Sequence, residues 1–434
     1  MRSVRARVGW TGAFRPLLAA LTLSCLMSAG AAGRVLAAAA ATGGTSSQAV
    51  PDSAAAGGDQ EAGSDLRVWL VTIGPGTAIW ERFGHNAIRV LDTRTGYDAS
   101  YNWGIFDFDQ VDFVPRFLRG QMLYMMAPFA SEPMIEMYRS AGREVILQEL
   151  DLTPAQRVAL RDFAETNALP GNREYFYDYF LDNCSTRVRD LLDRALGGAL
   201  YDQFGAEETG TSYRYHTRRL TRPDPLLFTG MDILLGTPGD QPITRWAQMF
   251  IPMTLRDAVR EVSVDHGDGL TRPLVISEEV VAEARVATEP QRPPVWWPWS
   301  LVLGLGLGTG LAWLGRARAR VAFGVAGTAW GLFAGVAGLI LVLVLFTDHR
   351  FMVWNENLFL LNPLSLALVP LVPLALARPA VRGWAVRVAL AVALIALAGV
   401  LVGLAPFAVQ QNALQTALFL PIHVGLWMGL RSLV

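Results

Sequence analysis

The stretch Glu289-Pro-Gln-Arg-Pro-Pro-Val-Trp-Trp-Pro-Trp299 divides the chain into two chemically different parts. Its prolines cannot continue a helix or a central strand. Its tryptophans, Trp296, Trp297 and Trp299, belong to a residue type that prefers the membrane–water interface. Downstream of Trp296 the chain contains only two acids, Asp348 and Glu356, whereas charges are frequent between Asp65 and Glu289. Over all 434 residues the composition is 52% hydrophobic and 17% charged, with mean hydropathy +0.30. That is too apolar for one water-soluble globule and too charged for a wholly lipid-buried one, so the split reads as a soluble domain joined to a membrane domain.

Five apolar runs follow the junction, at 297–314, 321–346, 358–377, 388–409 and 416–430. Most approach the ~20 residues that cross a ~30 Å hydrocarbon core at 1.5 Å per residue, and the last is the shortest. The third contains Pro363, Pro370 and Pro373 and is expected to be kinked or re-entrant. Arg316, Arg318 and Arg320 lie between the first two runs, and Arg378, Arg382 and Arg387 between the third and fourth. The other two connections are poor in cations. Arginine favours the cytoplasmic side, so the soluble domain is expected outside the cytoplasm, at the periplasmic face of an inner membrane.

The beginning of the chain points the same way. Arg2, Arg5, Arg7 and Arg15 precede an apolar run from Leu17 to Ala32 and then small residues to Ala41. This is the layout of a secretory signal. Leu21-Thr-Leu-Ser-Cys25 loosely resembles a lipobox, with Thr22 where a large aliphatic is expected. The expected organisation is a signal segment 1–41, a Gly/Ala/Ser-rich linker 42–64, an extracytoplasmic domain 65–288, the Pro-rich linker 289–295 and a transmembrane domain 296–434.

Within the soluble domain, residues 67–73, 85–91, 99–106, 121–129 and 144–150 read as strands, with helices at 111–118, 131–140 and 184–196. Thr153-Pro-Ala-Gln156 is a capping box that opens another helix. Strands and helices are mixed without a repeating unit, so the fold class is α+β, followed by an all-α membrane bundle. A net charge of −1 gives no electrostatic case for nucleic acid. The histidines show no ligand spacing with one another, so no metal and no cofactor are expected.

Two residues carry the chemistry. Loss of the signal segment, and Cys25 with it, leaves Cys184 as the sole thiol, unable to form an internal disulfide. Cys184 begins a helix, where partial positive charge and free N–H groups favour a thiolate and can hold an oxyanion. His85 follows Gly84 at the start of an apolar strand. A helix-start cysteine and a strand-start histidine are the parts of a thiolate–imidazole couple, although each alone is equally at home as a structural residue. Asn102 or Tyr101, on the next strand, is the expected orienter of the imidazole. Asn183, Arg187 and Asp190 brace the cysteine helix, and Arg187 has the chemistry to meet a phosphate or carboxylate. His349 and Asn355 lie in one short loop on the same side of the membrane as Cys184, and are expected to line the floor of the site and position a lipid headgroup.

Phe83-Gly-His-Asn-Ala87, Tyr101-Asn-Trp-Gly-Ile-Phe-Asp-Phe108 and Asp182-Asn-Cys-Ser-Thr-Arg187 resemble the signature blocks of the Lnb N-terminal periplasmic domain family. His349-Arg-Phe-Met-Val-Trp-Asn-Glu-Asn-Leu-Phe-Leu-Leu-Asn-Pro363 is similar to that family's membrane-region motif. The resemblance implies a permuted papain-like soluble domain, akin to lecithin–retinol acyltransferase, in which the histidine precedes the cysteine. It also implies a lipoprotein N-acyltransferase, which moves an acyl chain from a lipid-modified N-terminal cysteine to that cysteine's own α-amino group. The expected substrates are membrane lipids or lipoproteins. Two rivals use the same residues: a cell-envelope cysteine peptidase or amidase, and a non-catalytic lipid- or protein-binding module.

Overall fold

The computed structural model describes residues 61–107, 109–406 and 408–434. The expected signal segment, Cys25 and most of the linker lie outside the described residues.

The soluble domain is built on a seven-stranded antiparallel sheet. Its strands are β1 (Leu66–Ile73), β2 (His85–Asp92), β3 (Asp98–Ile105), β4 (Leu123–Ala130), β5 (Val145–Leu150), β6 (Glu174–Phe176) and, from the far end of the domain, β7 (Val275–Ala282). The spatial order is β7-β5-β1-β2-β3-β4-β6. The helices used below are α1 (Phe113–Arg119), α2 (Ser131–Ser140), α3 (Pro154–Ala168), α4 (Cys184–Ala195), α5 (Tyr213–Thr221), α6 (Pro225–Leu234) and α7 (Pro252–Glu261).

β1 lies mid-sheet, and all of it except Arg67 is buried, which is why its sequence is almost continuously apolar. One face of the sheet packs against α3, α4 and α7, with Leu70, Ile88, Tyr101 and Trp103 meeting Leu160, Val188, Leu192, Leu255 and Val259. The other face packs on α2, where Val71, Ala87 and Leu147 meet Met134 and Ile135. Side chains alternate across a strand. His85, Ala87 and Arg89 therefore point toward α2, and Asn86, Ile88 and Val90 toward α4.

The membrane half contains five helical spans. They are α8 (Trp297–Arg316), α9 (Arg320–Val344), an interrupted third span over Asn357–Ala377 that ends in α10 (Leu368–Ala377), α11 (Pro379–Gly403) and α12 (Ala413–Arg431). The third span is broken rather than merely bent. A short turn over Asn357–Leu360 ends at extended backbone, and Pro363 opens a tight turn over Pro363–Ala367 before α10 begins. α9 lies against this break through Gly335 and Gly338, where an added Cβ would collide with Leu361, Asn362 and Leu366. α8 and α12 touch backbone to backbone through Gly308 and Gly425. Small residues that admit such approach are what hold helices together in lipid.

The two halves are clamped to each other. The segment between α9 and the third span lies on the soluble domain: Asp348 N–H donates to the Arg119 carbonyl at 2.8 Å, and Gly236 N–H to the Phe351 carbonyl at 2.8 Å. The Phe228 ring of α6 packs on Trp296 with centroids 4.6 Å apart, so α6 sits beside the point where the chain enters the bilayer.

Candidate active site

Gly84 precedes His85 with a positive φ of 82°, and a Cβ there would crowd the Ile73 carbonyl and Met253. Only glycine adopts this conformation without strain. It turns the chain sharply into β2, so His85 stands at the strand's mouth. Asn102 lies on β3, where it pairs with Ala87 in the β2–β3 ladder. Its Oδ1 is 2.9 Å from His85 Nε2. Its Nδ2 donates to the Ser100 carbonyl at 2.8 Å and approaches Met134 Sδ at 3.3 Å. The amide orientation is thus set from behind, and it presents an acceptor to the imidazole. An amide oxygen cannot donate, so His85 carries its proton on Nε2 and leaves Nδ1 as the free base.

This geometry separates the two proposed orienters. Asn102 is on the His85 face. Tyr101 points to the opposite face and is buried in the core between the sheet and α4, so it does not touch the imidazole.

Cys184 is the first residue of α4, whose N-cap is Asn183. The Asn183 Oδ1 accepts from the N–H groups of Ser185 at 2.9 Å and Thr186 at 3.0 Å, and Thr186 Oγ1 accepts from Asn183 N–H at 2.8 Å. This reciprocal box satisfies the first turn of the helix. Asn183 Nδ2 reaches back to the Tyr179 and Phe250 carbonyls. Beside Cys184, the β3–β4 register shifts between Asn102 and Ile105, and Gly104 has a φ of 90°. Such irregularities re-aim a strand end and are common next to sites of chemistry. Asn86, next to His85, ties β2 to α4 through a hydrogen bond from its Nδ2 to Ser185 Oγ at 3.1 Å.

Cys184 and His85 share surroundings. The N–H groups of Asn86 and Cys184 point at the thiol and favour its ionised form. Tyr138, on α2, packs against the His85 ring at 6.4 Å and also feels the charge of Cys184. The buried Arg143 guanidinium lies 5.0 Å from the Tyr138 ring centre, donates to the Gly74 carbonyl and pairs with Glu81. It acts electrostatically on both His85 and Cys184.

The electrostatics correct one expectation. A helix start was expected to lower the thiol pKa. Burial instead pushes it above the ordinary value, outweighing the backbone N–H groups and Arg143. Burial also pulls the His85 pKa down to about 4; its hydrogen bond to Asn102 opposes that fall, and Arg143 adds to it. The resting couple is therefore neutral thiol and neutral imidazole rather than an ion pair. As a base, His85 is competent wherever it is unprotonated, which extends down to about pH 4. The acid limb of kcat/KM is expected near that pH. Asn102→Asp places a carboxylate against Nε2–H, stabilises the imidazolium, and should move the acid limb upward by about one to three pH units. A pH–rate profile unchanged by Asn102→Asp would show that Asn102 does not govern the imidazole.

Arg187, one turn along α4, is not a free cation. Its guanidinium is bidentate to Asp182 and lies 4.2 Å from the centre of the Tyr175 ring. It braces the segment leading into Cys184. His349 and Asn355 are separated in role. The His349 ring stacks on Tyr179 at 6.2 Å, its Nε2 meets the Phe117 carbonyl at 3.0 Å, and Tyr179 in turn meets Tyr177 edge-on. Tyr177 senses the charge of Cys184, so His349 stands two rings away from the thiol. Asn355 is occupied elsewhere: its Nδ2 donates to the Ile233 and Leu234 carbonyls at 2.9 Å, and its Oδ1 accepts from Asn357 N–H and Gln410. These bonds make Asn355 a clamp between the loop and α6. Tyr138, Arg143 and Tyr175 were not singled out from the sequence, because they reach the site only through the packing of α2, β5 and β6. Among the described residues no group of acids, histidines and cysteines is placed to hold a metal ion.

An α+β domain carrying this site, clamped to five apolar spans, defines a multi-pass membrane protein with its soluble domain on the periplasmic side. Residues 58–220 match the family model described as the Lnb N-terminal periplasmic domain, and residues 292–432 match the Lnb transmembrane domain. Together the two models cover most of the chain, which belongs to the Lnb family. Neither the curated proteins nor the solved structures provide a match.

Proposed function

We propose that this protein is a cysteine-dependent acyltransferase of the cell envelope, acting on lipoprotein or lipid acyl esters held in the bilayer. The observation that carries this reading is the oriented imidazole. In this reading Asn102 holds the His85 tautomer so that Nδ1 is the base, and the N–H of the next residue, Asn86, points at the thiol at the start of α4. The clamp between the soluble domain and the spans supports a substrate that remains in lipid. In this reading His85 Nδ1 takes the thiol proton as Cys184 Sγ attacks the ester carbonyl. The alcohol leaves with that proton, and the acyl group rests on Cys184 as a thioester. An amine then attacks the thioester and carries the acyl group away as an amide. The neutral resting couple fits a mechanism in which deprotonation and attack occur together.

The test is to trap the thioester. Full-length protein in lipid vesicles is mixed with a diacylglyceryl lipopeptide and quenched in acid, and the Cys184 peptide is weighed by mass spectrometry. The expected result is a hydroxylamine-labile adduct with the mass of one acyl chain. Turnover of the lipopeptide without any adduct, by a variant lacking the thiol, would overturn the reading. Cleavage of a lipid-free peptide in place of acyl transfer would assign the couple to a peptidase.

A further inference from the structure

Tyr175 is the middle residue of β6, the edge strand that pairs with β4. Its neighbours Glu174 and Phe176 face outward, while Tyr175 turns inward and is 8% exposed. The ring is held in place by the Arg187 guanidinium 4.2 Å above it, and Arg187 is itself anchored by Asp182. Yet the Tyr175 hydroxyl is buried and has no hydrogen-bond partner among the described residues. A buried hydroxyl without a partner is costly unless something else uses it.

Its position says what that use is. The point where a Cβ on Gly104 would stand is 3.4 Å from Cys184 Cβ and 3.9 Å from the Tyr175 hydroxyl oxygen. Glycine leaves open a small space flanked by the thiol-bearing carbon on one side and an unused O–H on the other. The donors expected from the helix start are largely committed, since Asn183 Oδ1 accepts from both Ser185 and Thr186 N–H. The Cys184 N–H remains for the oxyanion of a tetrahedral intermediate, and a second donor has to come from outside α4.

We propose that the Tyr175 hydroxyl is that donor: a catalytic residue that hydrogen-bonds to the carbonyl oxygen of the acyl ester as Cys184 attacks it. The inference rests on the acyl-transfer reading above. As the Sγ–C bond forms, the carbonyl π pair moves onto oxygen and the thiol proton passes to His85 Nδ1. The oxyanion accepts hydrogen bonds from Tyr175 O–H and from the N–H of Cys184. On collapse the C–O ester bond breaks and the alcohol departs with the proton held by His85. Tyr175 keeps its own proton throughout. Burial supports this by holding its pKa well above the ordinary phenol value, and the nearby Cys184 disfavours the phenolate further.

Tyr175→Phe removes only the hydroxyl, which has no partner in the fold to lose. With full-length protein and a diacylglyceryl lipopeptide in phosphatidylethanolamine–phosphatidylglycerol vesicles, the kcat for acyl-Cys184 formation should fall on the order of 10²–10³-fold. KM should stay within about threefold of wild type. Alkylation of Cys184 by iodoacetamide should be unchanged, because displacement at a saturated carbon builds no oxyanion. A kcat within about threefold of wild type would overturn the proposal. So would a parallel fall in alkylation, which would make Tyr175 a support for the thiol. If wild type forms no acyl-Cys184 while Cys184→Ala turns the lipopeptide over normally, the acyl-transfer reading itself fails, a different outcome from either.

Discussion

Cys184→Ala and His85→Ala are each expected to lower acyl transfer by on the order of 10⁴-fold or more, while the protein still folds and inserts. Removing the sulfur of Cys184 costs little packing, because Cβ remains and the Asn183 cap does not involve the thiol. His85 stands at the mouth of β2, and its ring bonds to Asn102, whose amide stays held by Ser100 without it. The double variant should be no slower than the worse single one, since the two groups act as one unit. Initial rates on the vesicle-bound lipopeptide, with thermal melting as the control for folding, decide the matter. Undiminished turnover by Cys184→Ala would make Cys184 a structural thiol and remove the mechanism.

Arg214→Met is expected to be the most damaging single change outside the site. Arg214 is fully buried on α5 and uses its donors in every direction. Nε bonds to Asp240 at 2.8 Å, Nη1 to the Asp232 carbonyl at 2.6 Å and its carboxylate at 3.0 Å, and Nη2 to the Leu235 carbonyl at 2.6 Å. Asp232 also accepts from Arg218 at 2.7 Å and from Gln415 of α12 at 2.6 Å. Arg218 in turn donates to the Gln411 carbonyl at 2.5 Å. This network ties α5 and α6 of the soluble domain to the last membrane helix. Methionine fills the space but strands Asp240 in a site where burial already raises its pKa. Removing one partner of such a pair costs about 3–5 kcal/mol. The variant should melt well below wild type. The deficit should shrink as pH falls, because the stranded carboxyl escapes its penalty by taking a proton. Arg218→Met, at a partly exposed position, should cost less. Equal melting of Arg214→Met and wild type would show that the network does not hold the halves together.

The elements up to α4, β6 excepted, were largely legible in the sequence, whereas β6, β7 and α5 to α7 were not assigned from it. The runs at 67–73, 85–91 and 99–106 became β1, β2 and β3 with ends displaced by at most one residue. Cys184 begins α4 and His85 begins β2, as their local patterns indicated. These features depend on neighbours a few residues apart: the Gly before His85, the Asn before Cys184, the apolar spacing of Val188, Leu191 and Leu192. The five spans were legible for a similar reason, since bilayer thickness sets a length that the chain must match. The choice between Tyr101 and Asn102 was not legible, because adjacent strand residues face opposite ways and only the register tells which face His85 shares. Nor was the sign of the thiol shift. The helix start is written in the sequence around Cys184, but the burial that outweighs it comes from distant elements.

By itself, then, the sequence determined an α+β domain, a Pro/Trp junction, five apolar spans and the two residues on which a thiol–imidazole couple would rest. Each of these is set by composition or by periodicity within one segment. Only the tertiary structure decided that Asn102 meets the imidazole, that Asn355 ties the loop to α6, that Arg187 is paired with Asp182, and that the Tyr175 hydroxyl stands unpartnered near Cys184. Those outcomes depend on the pairing of β2 with β3, the bulge at Gly104 and the packing of β6 and the membrane loop on the domain. A side chain's partner is chosen by where remote backbone places it, and no local pattern encodes that position.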